Sequence, residues 1–202
     1  MRELGRFGLS FQPKGAVMLF NETQIKGAYT VELEPHYDHR GFFARTFSAP
    51  EFEALGLNPS VVQCNLSFNR KKGTLRGMHY RVAPGTEAKV VRCTRGAIYD
   101  VIIDLRPHSA TYRTWIDIEL DADNRRALYI PEMCAHGFQT LVEHTEVFYQ
   151  TSEIYMPQYE RGVRYNDPAF EIEWPLPISE ISEKDATWPF FMSVDVQRGL
   201  IG

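Results

Sequence analysis

A histidine in an otherwise apolar segment is the first residue in this sequence with the chemistry of a catalyst. His79 lies in the segment 74–80, three residues after the fixed cation Arg76. A histidine close to a fixed positive charge tends to stay neutral at pH 7, and a neutral imidazole can accept a proton. From these residues alone the plainer alternative is a core histidine and a surface arginine.

The chain also carries groups that would complete acid–base catalysis beside a carbonyl. Lys89, Arg76 and His136 are candidates to stabilise an oxyanion, and several tyrosines in strand-like segments are candidate acids. In such a reaction a base removes a carbon-bound proton, a cation or donor stabilises the enolate, and an acid returns a proton. If the acid lies on the face opposite the base, the carbon is inverted.

A short segment before the histidine alternates between apolar and neutral polar residues. Alternation with a period of two predicts a β-strand over residues 62–67. Its polar face offers hydrogen-bond donors and acceptors without fixed charge, which can recognise a ligand, although a surface strand shows the same pattern. The polar face carries Gln63, Asn65 and Ser67, and the other face carries Val62, Cys64 and Leu66.

A metal centre is the weaker chemical alternative. Such a centre needs several histidine or carboxylate ligands close together. His136 is the only other histidine in a plausible strand-end context, and Arg81 stands where a second histidine after His79 would be wanted. We therefore expect no metal site.

Composition restricts the class of protein. The chain has 202 residues, 44% of them hydrophobic and 24% charged, which is ordinary for a globular domain. A formal net charge of −4 gives no electrostatic footprint for nucleic acid. No apolar segment is continuous enough for a signal peptide or a membrane span, so we expect a cytoplasmic protein without a membrane partner. Three cysteines without CxxC spacing are expected to be buried reduced thiols.

Short strand-like segments dominate the chain after residue 26. About ten of them recur at roughly 8–12-residue spacing with little helix between them, which predicts an all-β fold. We expect an antiparallel jelly-roll barrel with short peripheral helices near 48–56, where Ser48 can cap, and near 182–187. Segments 137–142 and 145–151 predict a hairpin. The expected domain spans residues 27–190, with an extension over 1–26 and a tail over 191–202.

Eight short blocks then occur in a fixed order between about residues 27 and 185. They are 40–43 (RGFF), 63–67 (QCNLS), 75–80 (LRGMHY), 88–92 (AKVVR), 130–138 (IPEMCAHGF), 146–149 (EVFY), 173–175 (EWP) and 182–185 (SEKD). Together they resemble the dTDP-4-dehydrorhamnose 3,5-epimerase family. The resemblance implies a cupin-like jelly roll, usually a homodimer, that epimerises a nucleotide-diphosphate 4-keto-6-deoxyhexose at C3 and C5 without metal or other cofactor.

The resemblance also implies catalytic roles. His79 would be the base that takes protons beside the 4-keto group, and Asp185 would hydrogen-bond to His79 and fix its tautomer. Tyr149 would be the acid that returns a proton from the opposite face, and Lys89 would stabilise the enolate oxygen. Without the resemblance, Asp185 is simply a carboxylate at a helix end, Lys89 a solvated cation and Tyr149 a core residue.

Substrate-binding roles follow in the same way. The residues expected to hold the sugar, the diphosphate and the nucleobase are Arg40, Phe43, Arg45, Gln63, Asn65, Arg76, His136 and Tyr155.

One geometric condition can be tested. Arg76 and His79 are three residues apart, so in a regular strand they face opposite sides. Both point into a site only if the strand is irregular between them, and Gly77 is the position where we expect a bulge.

Three positions depart from the family pattern. Cys64 replaces a common Asp and Arg81 a common Gln. Arg45 stands where many members carry a Glu that contacts thymine, and an arginine cannot accept a hydrogen bond from the base N–H. The nucleotide therefore stays open. The alternatives are a single-centre epimerase acting on another nucleotide sugar, a non-catalytic sugar-binding cupin, and a metal-dependent cupin oxygenase.

Overall fold

A computed structural model of the chain describes residues 18–191. Within them the chain forms 14 strands, two short α-helices and one 3-10 turn at Pro157–Tyr159. The long-range pairing is antiparallel except for one short strand, as expected when β-branched and aromatic segments alternate with turns. The prediction of an all-β jelly roll with short peripheral helices is confirmed.

Two large sheets face each other. The first contains, in spatial order, β1 (Met18–Glu22), β2 (Tyr29–Leu33), β10 (Ala127–Ile130), β7 (Lys89–Arg95), β12 (Thr145–Thr151) and β5 (Gln63–Asn69). The second contains β13 (Glu160–Gly162), β6 (Thr74–Arg81), β11 (Cys134–Thr140), β8 (Ala97–Asp104) and β9 (Trp115–Asp121), with β14 (Glu180–Ile181) parallel to β6. A separate hairpin joins β3 (His36–Asp38) to β4 (Gly41–Phe43).

The chain crosses between the large sheets at almost every connection. From β5 to β8 each strand lies in the sheet opposite its predecessor, and β10, β11 and β12 alternate likewise. The hairpin predicted from segments 137–142 and 145–151 is therefore wrong. β11 pairs with β6 and β8, whereas β12 pairs with β5 and β7. A turn of four residues suits either geometry, so the sequence did not distinguish them.

Apolar side chains fill three layers. Between the sheets lies a cluster that includes Val91, Ile102 and Val147, and the partly buried ring of Tyr149 packs against its edge. The outer face of the first sheet is covered by Phe52. The outer face of the second sheet packs against the C-terminal segment through residues such as Phe170. Both sheets are thereby held rigid around the open end of the barrel.

The two helices lie where they were predicted. α1 (Ala49–Ala54) has proline in its first turn and buries Phe52, and Gly56 follows it with φ +70. The Ser48 side chain makes no capping bond, which corrects that expectation. In α2 (Glu183–Ala186) the Ser182 hydroxyl accepts from the Asp185 N–H and caps the helix.

The predicted domain bounds need correction at the start. β1 pairs with β2 over Met18–Glu22, and Met18 and Phe20 are buried, so residues 18–26 belong to the first sheet's side of the barrel. At the other end Phe191 packs on Phe170 with ring centroids 5.3 Å apart. The rest of the predicted extension and tail, 1–17 and 192–202, lies outside the described residues.

The strand predicted over 62–67 is present, but its polar side faces inwards. Gln63, Asn65 and Ser67 are half-buried, whereas Cys64, Leu66 and Phe68 point outwards from an edge strand and are exposed. The expectation of three buried thiols is therefore wrong for Cys64 and confirmed for Cys93 and Cys134. Beside the apolar cluster, the barrel therefore has a polar inner wall along β5, of the kind that can line a pocket.

Candidate active site

A cleft opens between the two sheets at one end of the barrel. It consists of two adjoining cavities of about 130 and 380 Å³, both lined by His79, Lys89 and Tyr149. His79 comes from β6 in the second sheet, and the other two come from β7 and β12 in the first. The candidate base and the candidate acid therefore lie on opposing walls of one cleft.

His79 is paired with Asp185 from α2. The imidazole Nε2 lies 2.6 Å from the Asp185 Oδ1, and the Gly77 N–H donates to Oδ2 over 3.2 Å. The carboxylate is buried, while the imidazole keeps 31% of its side-chain surface exposed towards the cleft. Burial raises the pKa of Asp185, but the hydrogen bond and charge of His79 and the bonds from Gly77 and Ser182 outweigh it, so that pKa lies below its usual value. A carboxylate held ionised in this way orients the ring and stabilises its protonated form.

An indole covers one side of this pair. The Trp188 ring meets His79 edge-on with centroids 6.2 Å apart. Gly162, which pairs with His79 across β13 and β6, leaves room for the indole, because a Cβ there would lie 2.1 Å from the ring. Trp188 was not among the residues predicted from the sequence. Its position three residues after Asp185 was the available signal.

Tyr149 is half-buried in the wall that the first sheet gives to the cleft. Burial raises its pKa above the usual 10.0, the Glu87 and Glu160 carboxylates add to the rise, and Arg76 opposes it. The phenol therefore stays protonated at neutral pH, as a proton donor must.

Lys89 points into the same cleft and is held by a carboxylate. Its Nζ lies 3.2 Å from Glu87 Oε1, and the other Glu87 oxygen accepts from Arg81 Nη1 over 2.5 Å. The side chains of all three are largely buried. Glu87 was not among the residues predicted from the sequence.

Arg76 lies on the same side of β6 as His79. In the pairing with β11, His136 is opposite His79 and Phe138 is opposite Arg76, so β6 has one extra residue between the two pairs. This bulge at Gly77–Met78 confirms the irregularity predicted at Gly77. Arg76 lines the larger cavity, and its Nε donates to Asn69 Oδ1 over 2.7 Å.

His136 forms a second histidine–carboxylate pair in the larger cavity. Its Nε2 lies 2.7 Å from Asp100 Oδ1, and both groups are buried. Asp100 comes from the neighbouring strand β8, directly beside β11. The sequence reading predicted His136 in the site and missed Asp100.

Three predicted binding residues meet at the mouth of the smaller cavity. Gln63 Nε2 donates to Asn65 Oδ1 over 2.8 Å, and the Tyr155 N–H donates to Gln63 Oε1 over 3.3 Å. Tyr155 is 63% exposed, and an exposed aromatic side chain can stack on another ring.

Three other predicted binding residues do not reach this cleft in the chain itself. Arg40 is paired with Asp38 over 2.6 Å on the β3–β4 hairpin, whose Phe43 is 75% exposed. Arg45 is paired with Glu51 of α1 over 3.1 Å. None of the three lines either cavity. The hairpin exposes the aromatic residues Tyr37 and Phe43, while Arg125 lies over the Phe42 ring at 4.8 Å.

Residues 18–191 show neither a metal site nor a membrane-spanning helix. They contain no group of three or more His, Cys, Asp or Glu residues placed to hold a metal ion. The helices of this part of the chain are too short and too polar to cross a membrane.

Comparison with known proteins matches most of the chain to one family. A family model described as dTDP-4-dehydrorhamnose 3,5-epimerase matches residues 22–193. A relative of that name from Methanothermobacter thermautotrophicus is 42% identical over 173 residues, which cover 84% of this chain and 92% of the relative.

Solved structures show the same likeness. The dTDP-4-dehydrorhamnose 3,5-epimerase from Bacillus anthracis, solved with TDP and PPi bound, is 40% identical with a TM-score of 0.82, covering 86% of this chain and 99% of that one. ChmJ, a 3'-monoepimerase from Streptomyces bikiniensis in complex with dTDP-quinovose, is 32% identical with a TM-score of 0.79, covering 89% and 90%. The fold is thus shared by an enzyme named for two centres and an enzyme named for one.

Proposed function

Because this chain belongs to the dTDP-4-dehydrorhamnose 3,5-epimerase family, we propose that it inverts C3 and C5 of a nucleotide-diphosphate 4-keto-6-deoxyhexose. The reaction would be of the type that converts dTDP-4-dehydro-6-deoxyglucose to dTDP-4-dehydrorhamnose. The chain is an epimerase by its family, and the proposal concerns its substrate and mechanism.

The observation that carries the mechanism is the placement of His79 and Tyr149 on opposing walls of one cleft. Both C3 and C5 lie next to the C4 carbonyl, so removing either proton gives an enolate at the same oxygen. His79, oriented by Asp185, removes the proton, and Tyr149 returns one from the other side. Delivery to the opposite face inverts the carbon.

The developing negative charge needs a cationic partner. Lys89 lines both cavities and supplies an ammonium that can stabilise the enolate oxygen. His136, backed by Asp100, and Arg76 assist around the sugar and phosphate in the larger cavity. These groups come from three rigid strands, which holds them in place before the substrate binds.

The rest of the substrate fits the polar mouth. Gln63 and Asn65 line the sugar–nucleotide cleft, and the exposed Tyr155 ring stacks on the base. Arg40 and Phe43 would reach across to the cleft of a second copy of the chain and contact the diphosphate and the base of the substrate bound there. The working form would then be a homodimer. The isolated hairpin with exposed Tyr37, Phe42 and Phe43 supports this, because such a surface is rarely left in water.

The test is proton exchange in deuterated water. Purified protein is incubated with dTDP-4-keto-6-deoxyglucose, and deuterium at C3 and C5 is followed by NMR together with formation of the epimer. We expect exchange and inversion at both carbons with wild type and neither with His79→Asn. Exchange at neither carbon with wild type, or His79→Asn behaving like wild type, would overturn the proposal for this substrate.

A single-centre epimerase is the second candidate function. It is favoured by the likeness to ChmJ, a 3'-monoepimerase, and by Arg45, which cannot accept from a thymine N–H. The same exchange assay, repeated with other nucleotide sugars, distinguishes the two. Deuterium at one carbon only, or faster turnover with another nucleotide, would favour this candidate. A cytoplasmic location stays a prediction.

A further inference from the structure

Two cationic side chains share one buried carboxylate at the edge of the cleft. Glu87 Oε2 accepts from Arg81, and Glu87 Oε1 lies 3.2 Å from Lys89 Nζ. Side-chain exposure is 5% for Arg81, 11% for Glu87 and 13% for Lys89. Charges so far removed from water interact strongly and are costly to leave unpaired.

The triad also bridges the two sheets. Arg81 ends β6 in the second sheet, and Lys89 begins β7 in the first. Glu87 lies in the loop between them, and Arg81 is fixed further by the bond from Nη2 to the Ile154 carbonyl over 3.0 Å. The position of the Lys89 ammonium is therefore set by a carboxylate that is itself anchored to the opposite wall.

We propose that Glu87 is a positioning residue, which holds the Lys89 ammonium at the enolate oxygen while Arg81 fixes Glu87. This inference rests on the proposed function, in which Lys89 stabilises the enolate. It gives Arg81, a departure from the family pattern, a place in the site. The Glu87 carboxylate holds the ammonium by a charge-assisted contact, whereas a neutral amide in its place would hold it less firmly.

Glu87 also faces the candidate acid. Burial raises the pKa of Tyr149, and Glu87 is the largest of the neighbouring charges that add to the rise. Glu160 acts in the same direction and Arg76 in the opposite one, and the ammonium of Lys89 lies in the same cleft. Removing the Glu87 charge should therefore shift the alkaline limit of activity to lower pH.

The first test is Glu87→Gln, which keeps the shape and removes the charge. We expect kcat to fall about 10²-fold, since a group displaced by about 1 Å loses that much. KM should change by less than about threefold, because the contact is made mainly in the transition state. The alkaline limb of the kcat–pH profile should shift to lower pH. Glu32→Gln, which breaks the exposed pair with Arg126, is the matched control and should leave both constants unchanged.

A second variant guards against misfolding, because Glu87→Gln leaves a buried guanidinium without its partner. The double variant Arg81→Gln/Glu87→Gln replaces the ion pair with two amides and should show the same loss of kcat. If Arg81 acts only through Glu87, adding Arg81→Gln to Glu87→Gln costs nothing further. A folded Glu87→Gln or double variant with kcat within about threefold of wild type overturns the proposal.

A readout without substrate separates this inference from the proposed function. Lys89 held by Glu87 should react slowly with an amine acylating reagent, and mass spectrometry of the modified peptide should show a several-fold faster reaction in Glu87→Gln. An unchanged acylation rate contradicts the positioning by Glu87. If wild type lacks epimerase activity but Lys89 is acylated faster in Glu87→Gln than in wild type, the assigned reaction is wrong. Glu87 is then still the group that holds Lys89.

Discussion

The separate roles of His79 as base and Tyr149 as acid can be tested by removing only the acid. Tyr149→Phe keeps the ring that packs on the core and deletes the hydroxyl. His79 should still remove the proton and return a solvent-derived one to the same face, so deuterium enters the sugar while net inversion falls about 10²-fold or more. NMR of the product measures both quantities.

His79→Asn is the matched variant for that experiment, because it removes the base and leaves Tyr149 in place. Exchange and inversion should both stop. If Tyr149→Phe inverts at the wild-type rate, another group supplies the proton. If it abolishes exchange as well, Tyr149 acts in proton removal and the assigned roles are wrong.

The raised pKa of Tyr149 predicts how inversion depends on pH. A proton donor works only in its protonated form, and burial together with Glu87 places this pKa above 10.0. Inversion that depends on the phenol should therefore be fully present at neutral pH and decline only as the pH rises through the raised pKa. A kcat–pH profile of wild type should show this limb, and Tyr149→Phe should lack it. A limb well below pH 10 in wild type would contradict the donor assignment.

Asp185→Asn tests the orientation of the base. The change keeps the size of the side chain but removes the charge that stabilises the imidazolium 2.6 Å away. We expect kcat to fall about 10²–10⁴-fold, because proton transfer loses both the oriented tautomer and the counter-charge. Glu183→Gln, on the exposed side of the same helix, removes an equal charge and should have little effect. Exchange kinetics of both variants measure these effects. Equal losses of kcat in the two variants would indicate that Asp185 stabilises the helix rather than orienting His79.

At the residue scale the sequence predicted several residues that line the cleft, but not the carboxylates that hold two of them. His79, Asp185 and their pairing were expected from ordered sequence blocks, and the pairing is present. Glu87 and Asp100 were missed. Asp100 pairs with His136 on the neighbouring strand, and Glu87 pairs from a loop with Lys89 and Arg81. Both pairings depend on contact distances that no local sequence pattern contains.

At the scale of elements, the bulge in β6 decides whether Arg76 and His79 share the cleft. Gly77 has φ +128, and a Cβ there would lie 2.4 Å from the Gly137 Cα. Gly77→Ala should lower the free energy of unfolding by about 3 kcal/mol or more, from roughly 1–3 kcal/mol of backbone strain and a similar cost of overpacking. Denaturant unfolding measures the change.

Gly41 provides a matched control for Gly77. Its φ is +133, close to that of Gly77, but a Cβ there would meet nothing within 4 Å. Gly41→Ala should therefore show only the strain, about 1–3 kcal/mol. Equal losses at the two positions would mean that the close approach of β6 and β11 does not limit the site.

The elements also show where local sequence patterns stop being informative. The position of the bulge was predictable, since only an irregular strand places residues three apart on one face. The partner of β12 was not. A turn of four residues after β11 allows a hairpin or a crossing to the other sheet, and the choice depends on strands far away in sequence. For β5, the alternation of apolar and polar residues predicted a strand. The alternation alone did not show that the polar side faces inwards.

At the scale of the whole molecule, residues 18–191 of a single chain leave apolar side chains uncovered on at least two surfaces. One is the outer side of β5, with Leu66 60% and Phe68 45% exposed, and the other is the β3–β4 hairpin with Phe43. Such surfaces are typical of contact sites between chains. A second copy covering them would also explain why Arg40 and Phe43, predicted to bind substrate, lie outside the cleft of their own chain.

Co-expression of two inactive variants tests whether the site is shared between subunits. His79→Asn removes the base, and Arg40→Ala removes the predicted diphosphate ligand from the hairpin. If each site takes these two residues from different chains, one site of a mixed dimer receives both defects and the other receives neither. With random pairing, about a quarter of all sites are then intact, so co-expressed protein should regain about a quarter of wild-type activity. Separately tagged chains allow the mixed dimer to be isolated, and light scattering reports its mass. Mixed dimers that stay inactive, or a monomeric wild type with full activity, would show that each cleft is complete within one chain.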